Sequence, residues 1–202
     1  MRRLVFFVLL SMMSMLGLHA QQFSNEVWHE GFLVTTEDDT LKGLIKYDME
    51  TNIVQLIINN SKVQTFSSHK IFYFEIFDKV VKNYRQFYSI PYKVSYDYNT
   101  PIIFEVLYEA PLSLLSREAV VQENVANSSV YWSGTILQNK MMKTFYFLDK
   151  KGNIQLFTGK KNDLLTIMAR KASDVKNFIK KNNLKTDEVR DLIRITAFYN
   201  SI

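Results

Sequence analysis

The sequence YRQFYSIPYKVSYDY, residues 84–98, alternates between two kinds of side chain along its length. Its even positions carry mainly tyrosines, with Ile90 and Val94 among them, whereas its odd positions are mostly polar or charged. A period of two places successive side chains on opposite faces, so the stretch predicts β-strand structure, with the face that bears Ile90 and Val94 against the core. Pro91 has no backbone donor, which favours an edge strand or two strands interrupted near Ile90.

The two-residue period continues on both sides of this stretch, from about residue 30 to residue 157, and short turn sequences interrupt it. Prolines recur every ten residues, at 91, 101 and 111, as expected for punctuation between strands. This spacing predicts mainly antiparallel β structure, arranged as a meander, a barrel or a sandwich. Residues 119–143 lack a clear period, so a loop and a further strand both remain open there.

The period changes after Gly159, where apolar residues begin to recur at three- and four-residue steps. The pattern predicts two or three short helices, the last of them including Val189, Leu192 and Thr196. Strands followed by helices indicate an α+β fold. We therefore expect a β-rich domain over residues 21–158 and a helical C-terminal segment over residues 159–202 that packs on it.

Residues 1–20 have the pattern of a secretory signal peptide: Arg2 and Arg3, an apolar run over 4–18, then Ala20 at the expected cleavage site. As a helix the apolar run would reach only about 22 Å, which is short of a hydrocarbon core of roughly 30 Å. We therefore expect cleavage, with no transmembrane anchor left afterwards. The chain contains no cysteine, which excludes a lipid-modified cysteine. The sequence thus predicts an exported protein that is not a lipoprotein, located in the periplasm, at the outer membrane or in the medium.

Charge is divided unevenly along the chain. Loss of residues 1–20 removes two arginines and no acid, so the formal charge falls from +5 to +3. Residues 21–125 contain 9 Lys and Arg against 14 Asp and Glu, whereas residues 126–202 contain 14 against 6. The basic helical segment could contact an anionic surface or an acidic partner, and four lysines are the candidates: Lys176, Lys180, Lys181 and Lys185. Nucleic acid is not an expected partner of an exported chain without a recognition motif.

The residues that carry chemistry form no recognisable catalytic or metal-binding motif. His29 and His69 are the histidines outside the first twenty residues, and His29-Glu30 does not continue into the H-E-x-x-H pattern. The three acids at 37–39 are typical of a solvated turn, although such a turn could also bind a cation. We therefore predict no catalytic residue, no metal and no cofactor. A pair of glycosidase carboxylates stays open among four acids of the β region: Glu75, Asp97, Glu105 and Glu109. Of these, Glu105 and Glu109 are expected at a rim or solvent face.

Aromatic side chains are abundant outside residues 1–20. The tyrosines of residues 84–98 could stack on sugars, but packing against the core is the simpler interpretation. Tyr131 and Trp132 lie in the polar segment, and loops carry binding residues more often than scaffolds do. We therefore name Tyr131 and Trp132 as candidate ligand-binding residues.

Residues 28–34, WHEGFLV, and 39–47, DTLKGLIKY, resemble the opening of a loose family of uncharacterised exported bacterial β-rich proteins. Residues 191–193, DLI, and 199–200, YN, resemble that family's close. The resemblance implies a location in the cell envelope and a β domain with terminal helices. It transfers no catalytic residue.

Three functional hypotheses follow from these observations. The first is an exported, non-enzymatic envelope or secreted module that binds a protein or polymer partner. The second is an envelope hydrolase that acts on glycan or peptide through carboxylates or His69. The third is a structural subunit of an exported assembly, which would expose an apolar patch.

Overall fold

The computed structural model of this protein describes residues 22–59, 62–95, 98–129 and 132–202, and between residues 126 and 134 it describes the backbone alone. The predicted signal peptide, residues 1–20, lies outside the described residues. The described chain forms ten β-strands followed by three α-helices, which confirms the predicted α+β class. The strands are β1 (His29–Thr35), β2 (Thr40–Asp48), β3 (Ile53–Ile57), β4 (Gln64–Ser67), β5 (Ile71–Asp78), β6 (Asn83–Ser95), β7 (Tyr98–Tyr108), β8 (Ser113–Ser129), β9 (Trp132–Leu148) and β10 (Ile154–Phe157). The helices are α1 (Lys161–Ile167), α2 (Ala172–Lys181) and α3 (Val189–Ser201).

All ten strands belong to one antiparallel sheet, in the order β10-β9-β8-β7-β6-β5-β1-β2-β3-β4. Strands β1 to β4 form one meander and β5 to β10 form another, and β1 joins them because it pairs with both β2 and β5. Of the three predicted arrangements, the strand order is therefore that of a meander. None of the helices in the described part of the chain is long and apolar enough to cross a membrane.

The sheet curls so strongly that β2 and β8, which have four strands between them in the sheet order, come into side-chain contact. The Tyr47 hydroxyl on β2 donates to the carboxylate of Glu118 on β8. In the β2–β3 turn, Asn52 Oδ1 accepts from the backbone N–H of Ile103 at 2.9 Å, and the Met49 carbonyl accepts from the guanidinium of Arg117. These contacts close the curl around an interior lined by the inward faces of β1, β2, β3, β5, β6 and β7.

Two large apolar clusters stabilise this arrangement. The first fills the curl and includes Leu33, Ile45, Phe74 and Phe87 among its buried residues. The second lies between the helices and the other end of the sheet, where strand residues such as Phe147 pack with helix residues. The helical members of the second cluster are Leu164, Val175, Ile179, Leu192 and Ile195, and Met168 directly follows α1. The helices therefore each bury one stripe against the sheet, as their three- and four-residue spacing predicts.

Two glycines permit the close approach of four neighbouring strands, β5, β1, β2 and β3. Gly31 on β1 pairs directly with Gly43 on β2. A Cβ atom at Gly31 would lie 2.1 Å from the backbone oxygen of Glu75, and one at Gly43 would lie 2.1 Å from that of Ile57. Any side chain at these positions would therefore force a neighbouring strand aside.

The structure reverses the predicted faces of β6 in its first half. Arg85 and Phe87, at odd positions, are buried, whereas Tyr84 is 67% exposed and Val94 is 57% exposed. The prediction that the even positions face the core is therefore wrong at both ends of the strand. The edge-strand interpretation of Pro91 is correct locally, because β6 pairs with β5 only as far as Tyr88 and with β7 alone beyond it.

The segment without a clear period, residues 119–143, lies within the β8–β9 hairpin. Its strands pair without interruption from Ser113 with Leu148 to Ser129 with Trp132. Strand β7 pairs with β8 only up to Ser116. The hairpin therefore continues beyond the sheet as a two-stranded arm of roughly 40 Å, at about 3.4 Å per residue. The described side chains at 122–125 and 135–140 are all exposed, so this part of the arm has no buried face that would produce an alternating sequence.

Candidate functional site

The largest group of polar side chains lies inside the curl, around the guanidinium of Arg85 on β6. Arg85 Nε and Nη2 donate to the two carboxylate oxygens of Glu105 at 2.7 and 2.9 Å. Nη1 donates to Asp78 at 2.8 Å, and Nη2 also donates to Glu118 at 2.9 Å. The Tyr47 hydroxyl accepts from Nη1 at 2.7 Å. Arg85 thus bonds three carboxylates that come from three different strands, and we call these five residues the Arg85 cluster.

Lys143 on β9 and Ser116 on β8 complete the surroundings of these carboxylates. Lys143 Nζ lies 3.0 Å from a Glu105 oxygen and 3.8 Å from a Glu118 oxygen, with its side chain 30% exposed. The Ser116 hydroxyl donates to Glu105 at 2.9 Å. Several members of this group share their strand faces with buried apolar residues: Ile45, Ile76, Phe87 and Ile103.

Burial and hydrogen bonding act in opposite directions on the acids of the Arg85 cluster. Burial alone would raise the pKa of Glu105, but the hydrogen bonds and charge of Arg85, with a contribution from Lys143, lower that pKa to about 2. Burial likewise opposes ionisation of Asp78, whose pKa is nevertheless lowered by hydrogen bonds from Arg85, Ser24 and two backbone amides. Burial raises the pKa of Tyr47. Arg85 acts in the opposite direction and lowers this pKa, but the neighbouring carboxylate of Glu118 raises it and offsets part of the effect of Arg85. Glu105 and Asp78 are therefore held ionised, and the Tyr47 phenol is held protonated.

The Arg85 cluster has the properties of a structural network. Asp78, Glu105 and Glu118 are almost fully buried. A general acid must keep a proton near neutral pH and must reach its substrate, whereas Glu105 is held ionised and enclosed. The prediction that Glu105 lies at a solvent face is wrong, because Arg85 supplies the partner that its burial requires. Glu75 lies on the opposite face of the sheet, so Glu75 and Glu105 cannot form a glycosidase pair.

The histidines have ordinary structural surroundings. His29 is fully buried, its Nε2 lies 2.7 Å from the Ser24 carbonyl oxygen, and its Nδ1 accepts from the backbone N–H of Lys79 at 3.1 Å. His29 is thus a satisfied core histidine. His69 is exposed and lies 3.4 Å from the Thr100 hydroxyl. Within the residues that the structure describes, no three histidine or acidic side chains are grouped to hold a metal ion.

The outer face of the sheet carries a second group of residues, which is open to solvent. On β5 and β6 three cross-strand pairs follow one another, namely Tyr73 with Tyr88, Glu75 with Gln86, and Phe77 with Tyr84. The rings of Tyr73 and Tyr88 are stacked, with centroids 5.2 Å apart, and those of Phe77 and Tyr84 meet at the same distance edge to face. The Gln86 amide donates to Glu75 at 2.8 Å. We call these six residues the aromatic platform.

The platform has a regular spacing that follows from strand geometry. Its two aromatic pairs are four residues apart along each strand, or about 13 Å at 3.3 Å per residue. Phe77 is 37% exposed, and Phe72, which contacts both Tyr73 and Tyr88, is 52% exposed. Burial, together with the nearby Glu109, Tyr73 and Glu75, raises the pKa of Tyr88. Its hydroxyl therefore stays a hydrogen-bond donor over a wide pH range.

The structure locates some of the residues predicted from sequence to bind a partner, and their role stays a prediction. Tyr131 lies outside the described residues, and Trp132 is described only by its backbone at the start of β9. The four candidate lysines are all exposed. Lys176 and Lys180 share one side of α2, whereas Lys185 lies in the loop that follows α2, 3.9 Å from Glu188.

The platform was not predicted as a site, although residues 84–98 supplied half of it. A useful signal is the matching pair of sequences 73–77, YFEIF, and 84–88, YRQFY. Both have aromatic ends and a central polar residue on one face. This face is exposed because the residues between, such as Phe74 and Phe87, fill the interior instead.

Comparison of the chain with models of protein families, with curated proteins and with solved structures found no match in any of the three. The family resemblance of residues 28–47 and of the C-terminal residues stays a prediction. Function has to be argued from the two groups of side chains described above, because a fold class alone does not specify an activity.

Proposed function

We propose that the protein is an exported, non-enzymatic module of the cell envelope or the secreted fraction, and that it binds a glycan polymer through the aromatic platform. The observation that carries this proposal is the row of two aromatic pairs on the outer sheet face, separated by the Glu75–Gln86 pair. Phe77 and Tyr84 are exposed, and Tyr73 and Tyr88 are half-buried. Export is supported by the signal-like pattern of residues 1–20.

The chemistry of the platform suits a sugar chain. The C–H groups on the face of a pyranose ring carry partial positive charge and are attracted to the negative face of an aromatic ring. The pairs Tyr73–Tyr88 and Phe77–Tyr84 offer two such surfaces in line. Between them, the carboxylate of Glu75 and the amide of Gln86 can accept from and donate to sugar hydroxyls. Tyrosine adds a hydroxyl at low cost in conformational entropy.

The hydrolase hypothesis has less support. Hydrolysis of a glycosidic bond by two carboxylates requires both to reach the same bond. The carboxylates that converge, Glu105 and Glu118, are enclosed and bonded to Arg85. On the platform itself, Glu75 is paired with an amide that cannot exchange protons near neutral pH. Binding without turnover is therefore the function that this surface favours.

Co-sedimentation with isolated envelope polysaccharide tests the proposal. The mature protein, residues 21–202, should bind. The double variant Tyr84→Ser/Tyr88→Ser should bind at least about tenfold more weakly, because it removes two aromatic contacts and each such loss costs more than about 1 kcal/mol of binding free energy. The matched control is Tyr98→Ser, which removes an exposed tyrosine on β7 away from the platform. Equal binding by all three proteins would reject the platform as the binding surface.

A structural subunit is the second candidate, and the β8–β9 arm favours it. Among its described side chains, the arm exposes four large apolar ones: Val125, Ile136, Leu137 and Met142. A two-stranded ribbon of this length is marginally stable alone. A partner subunit would cover these four side chains. In that case, the envelope protein that co-purifies with the wild type should be lost from an Ile136→Ser/Leu137→Ser variant, and polysaccharide binding should be unchanged by it.

A further inference from the structure

A groove of about 640 Å³ lies where the β9–β10 turn meets the end of α3, on a part of the molecule separate from the aromatic platform. Four cations line it, two from the turn, Lys150 and Lys151, and two from the turn of helix after α1, Arg170 and Lys171. Their apolar neighbours include Leu112 and Ile167. The chain separates these two pairs of cations by nearly twenty residues, so only folding brings them together.

The groove is built on a rigid frame. In the turn, Asp149 Oδ1 accepts from the backbone N–H groups of Lys151 at 2.7 Å and Asn153 at 3.0 Å. On the opposite side, Asn200 bonds the backbone N–H and C=O of Leu112, each at 3.0 Å, and so fixes the end of α3 to the start of β8. A site whose backbone is already fixed loses little entropy when a ligand binds.

The positive charge of the groove is largely uncompensated. Lys171 Nζ donates to the carbonyl oxygen of Tyr199 at 2.9 Å and to a backbone oxygen of Ile202, and these contacts orient its ammonium group. Among the described residues, no acidic side chain forms an ion pair with Lys150, Lys151 or Arg170. Asp149 is the one acidic side chain among the lining residues, so the cationic side chains are in excess.

We propose that this groove binds a phosphate group. A phosphate monoester carries a charge of about −1.5 to −2 and three acceptor oxygens, so it can engage several of these cations at once, whereas a single carboxylate neutralises only one. The planar guanidinium of Arg170 can bond two phosphate oxygens, and the lysines of the turn supply point charges. Leu112 and Ile167 then face the organic part of the ligand. The phosphate belongs either to a small soluble ester or to a lipid headgroup.

Nuclear magnetic resonance titration of the mature protein with inorganic phosphate, at constant ionic strength, tests the groove. The amides of Lys151, Arg170 and Lys171 should shift together. The variant Lys151→Gln/Arg170→Gln should bind at least about tenfold more weakly, because hydrogen bonds between charged groups contribute more than the equivalent of one decade in affinity. The control Lys176→Gln/Lys180→Gln removes the same charge from α2 and should change the affinity less than twofold, as expected for cations outside the site.

Vesicles that contain phosphatidic acid, whose headgroup is a phosphate monoester, compared with vesicles of phosphatidylcholine alone, identify the source of the phosphate. Binding to phosphatidic acid that the groove variant loses and the control keeps assigns a lipid headgroup, whereas phosphate binding without vesicle binding assigns a soluble ester. Absence of both, or equal weakening by the two double variants, overturns the proposal. Because the groove shares no residue with the platform, failure of glycan binding would leave this result unaffected.

Discussion

Replacement of Arg85 by methionine is the strongest perturbation that the structure offers. Methionine keeps much of the length and the apolar stem but removes the cation that bonds Asp78, Glu105 and Glu118. Because the three carboxylates would stay enclosed with only Lys143 nearby, we expect a loss of about 3–5 kcal/mol in the free energy of unfolding, the range for breaking one side of a buried ion pair.

The lowered pKa of Glu105 reports a related quantity, namely the part of the stability that depends on ionisation of Glu105. Arg85 and Lys143 lower this pKa from 4.5 to about 2, and about 2.5 units correspond to about 3 kcal/mol at neutral pH. Since the folded-state pKa lies below the unfolded value, this stabilisation is present above pH 4.5 and is lost as the pH falls through 2. Its size is a large fraction of the 5–15 kcal/mol typical of a whole domain.

Urea unfolding at pH 7, followed by circular dichroism, measures the loss. Arg194→Met is the matched control, because the Arg194 side chain is half exposed and pairs with Asp191 at 3.6 Å, so it should change the free energy by less than about 1 kcal/mol. Arg85→Lys keeps the charge without the planar fork and should lie between wild type and Arg85→Met. A loss for Arg85→Met no larger than that of the control would refute the assignment of the cluster.

The remaining predictions concern acid stability, strand packing and helix docking. Glu105→Gln should flatten the loss of stability between pH 4.5 and 2 relative to wild type, as measured by urea midpoints across that window; an unchanged slope would mean that Glu105 is not the titrating group. Gly43→Ala should lower the thermal midpoint, because the added Cβ would overlap the Ile57 carbonyl. The expected loss in the free energy of unfolding is roughly 1–3 kcal/mol. Gly152→Ala is the comparison, because Gly152 lies in a turn with open space and its replacement tests backbone strain alone. Leu192→Ala should lower the free energy of unfolding by about 2–5 kcal/mol in the same urea assay, because Leu192 on α3 is fully buried in the cluster between the helices and the sheet. A change below about 1 kcal/mol would mean that α3 is not docked on the sheet.

Much of the fold could be predicted because strand and helix periods are local properties. Residues 41–49 alternate regularly and identify β2 (Thr40–Asp48), and the spacing of Val189, Leu192 and Thr196 identifies α3. The β9–β10 hairpin follows from a turn rich in Asp, Gly and Asn between two apolar runs. These elements need no knowledge of their neighbours to be recognised.

The Arg85 cluster could not be predicted because its partners are distant in sequence and its strand face is mixed. Arg85 shares its face with Phe87, Ser89 and Pro91, so the charge and the hydroxyl made the opposite face seem the apolar one. The face of β6 that bears its odd-numbered residues is enclosed because the sheet curls and brings Tyr47 on β2 into contact with Glu118 on β8. The same curl exposes the aromatic platform. Long-range closure thus determined both groups, and a local period contains no information about it.

The most direct test of the proposed function is a map of amide chemical shifts on the mature protein as soluble fragments of envelope polysaccharide are added. The proposal predicts shifts concentrated on β5 and β6 at the platform, around Tyr73, Gln86 and Tyr84, and their disappearance in Tyr84→Ser/Tyr88→Ser. Shifts confined to other surfaces, such as the β8–β9 arm or the basic groove, would contradict the proposed function. The absence of any shift at millimolar concentrations of the fragment would contradict it too.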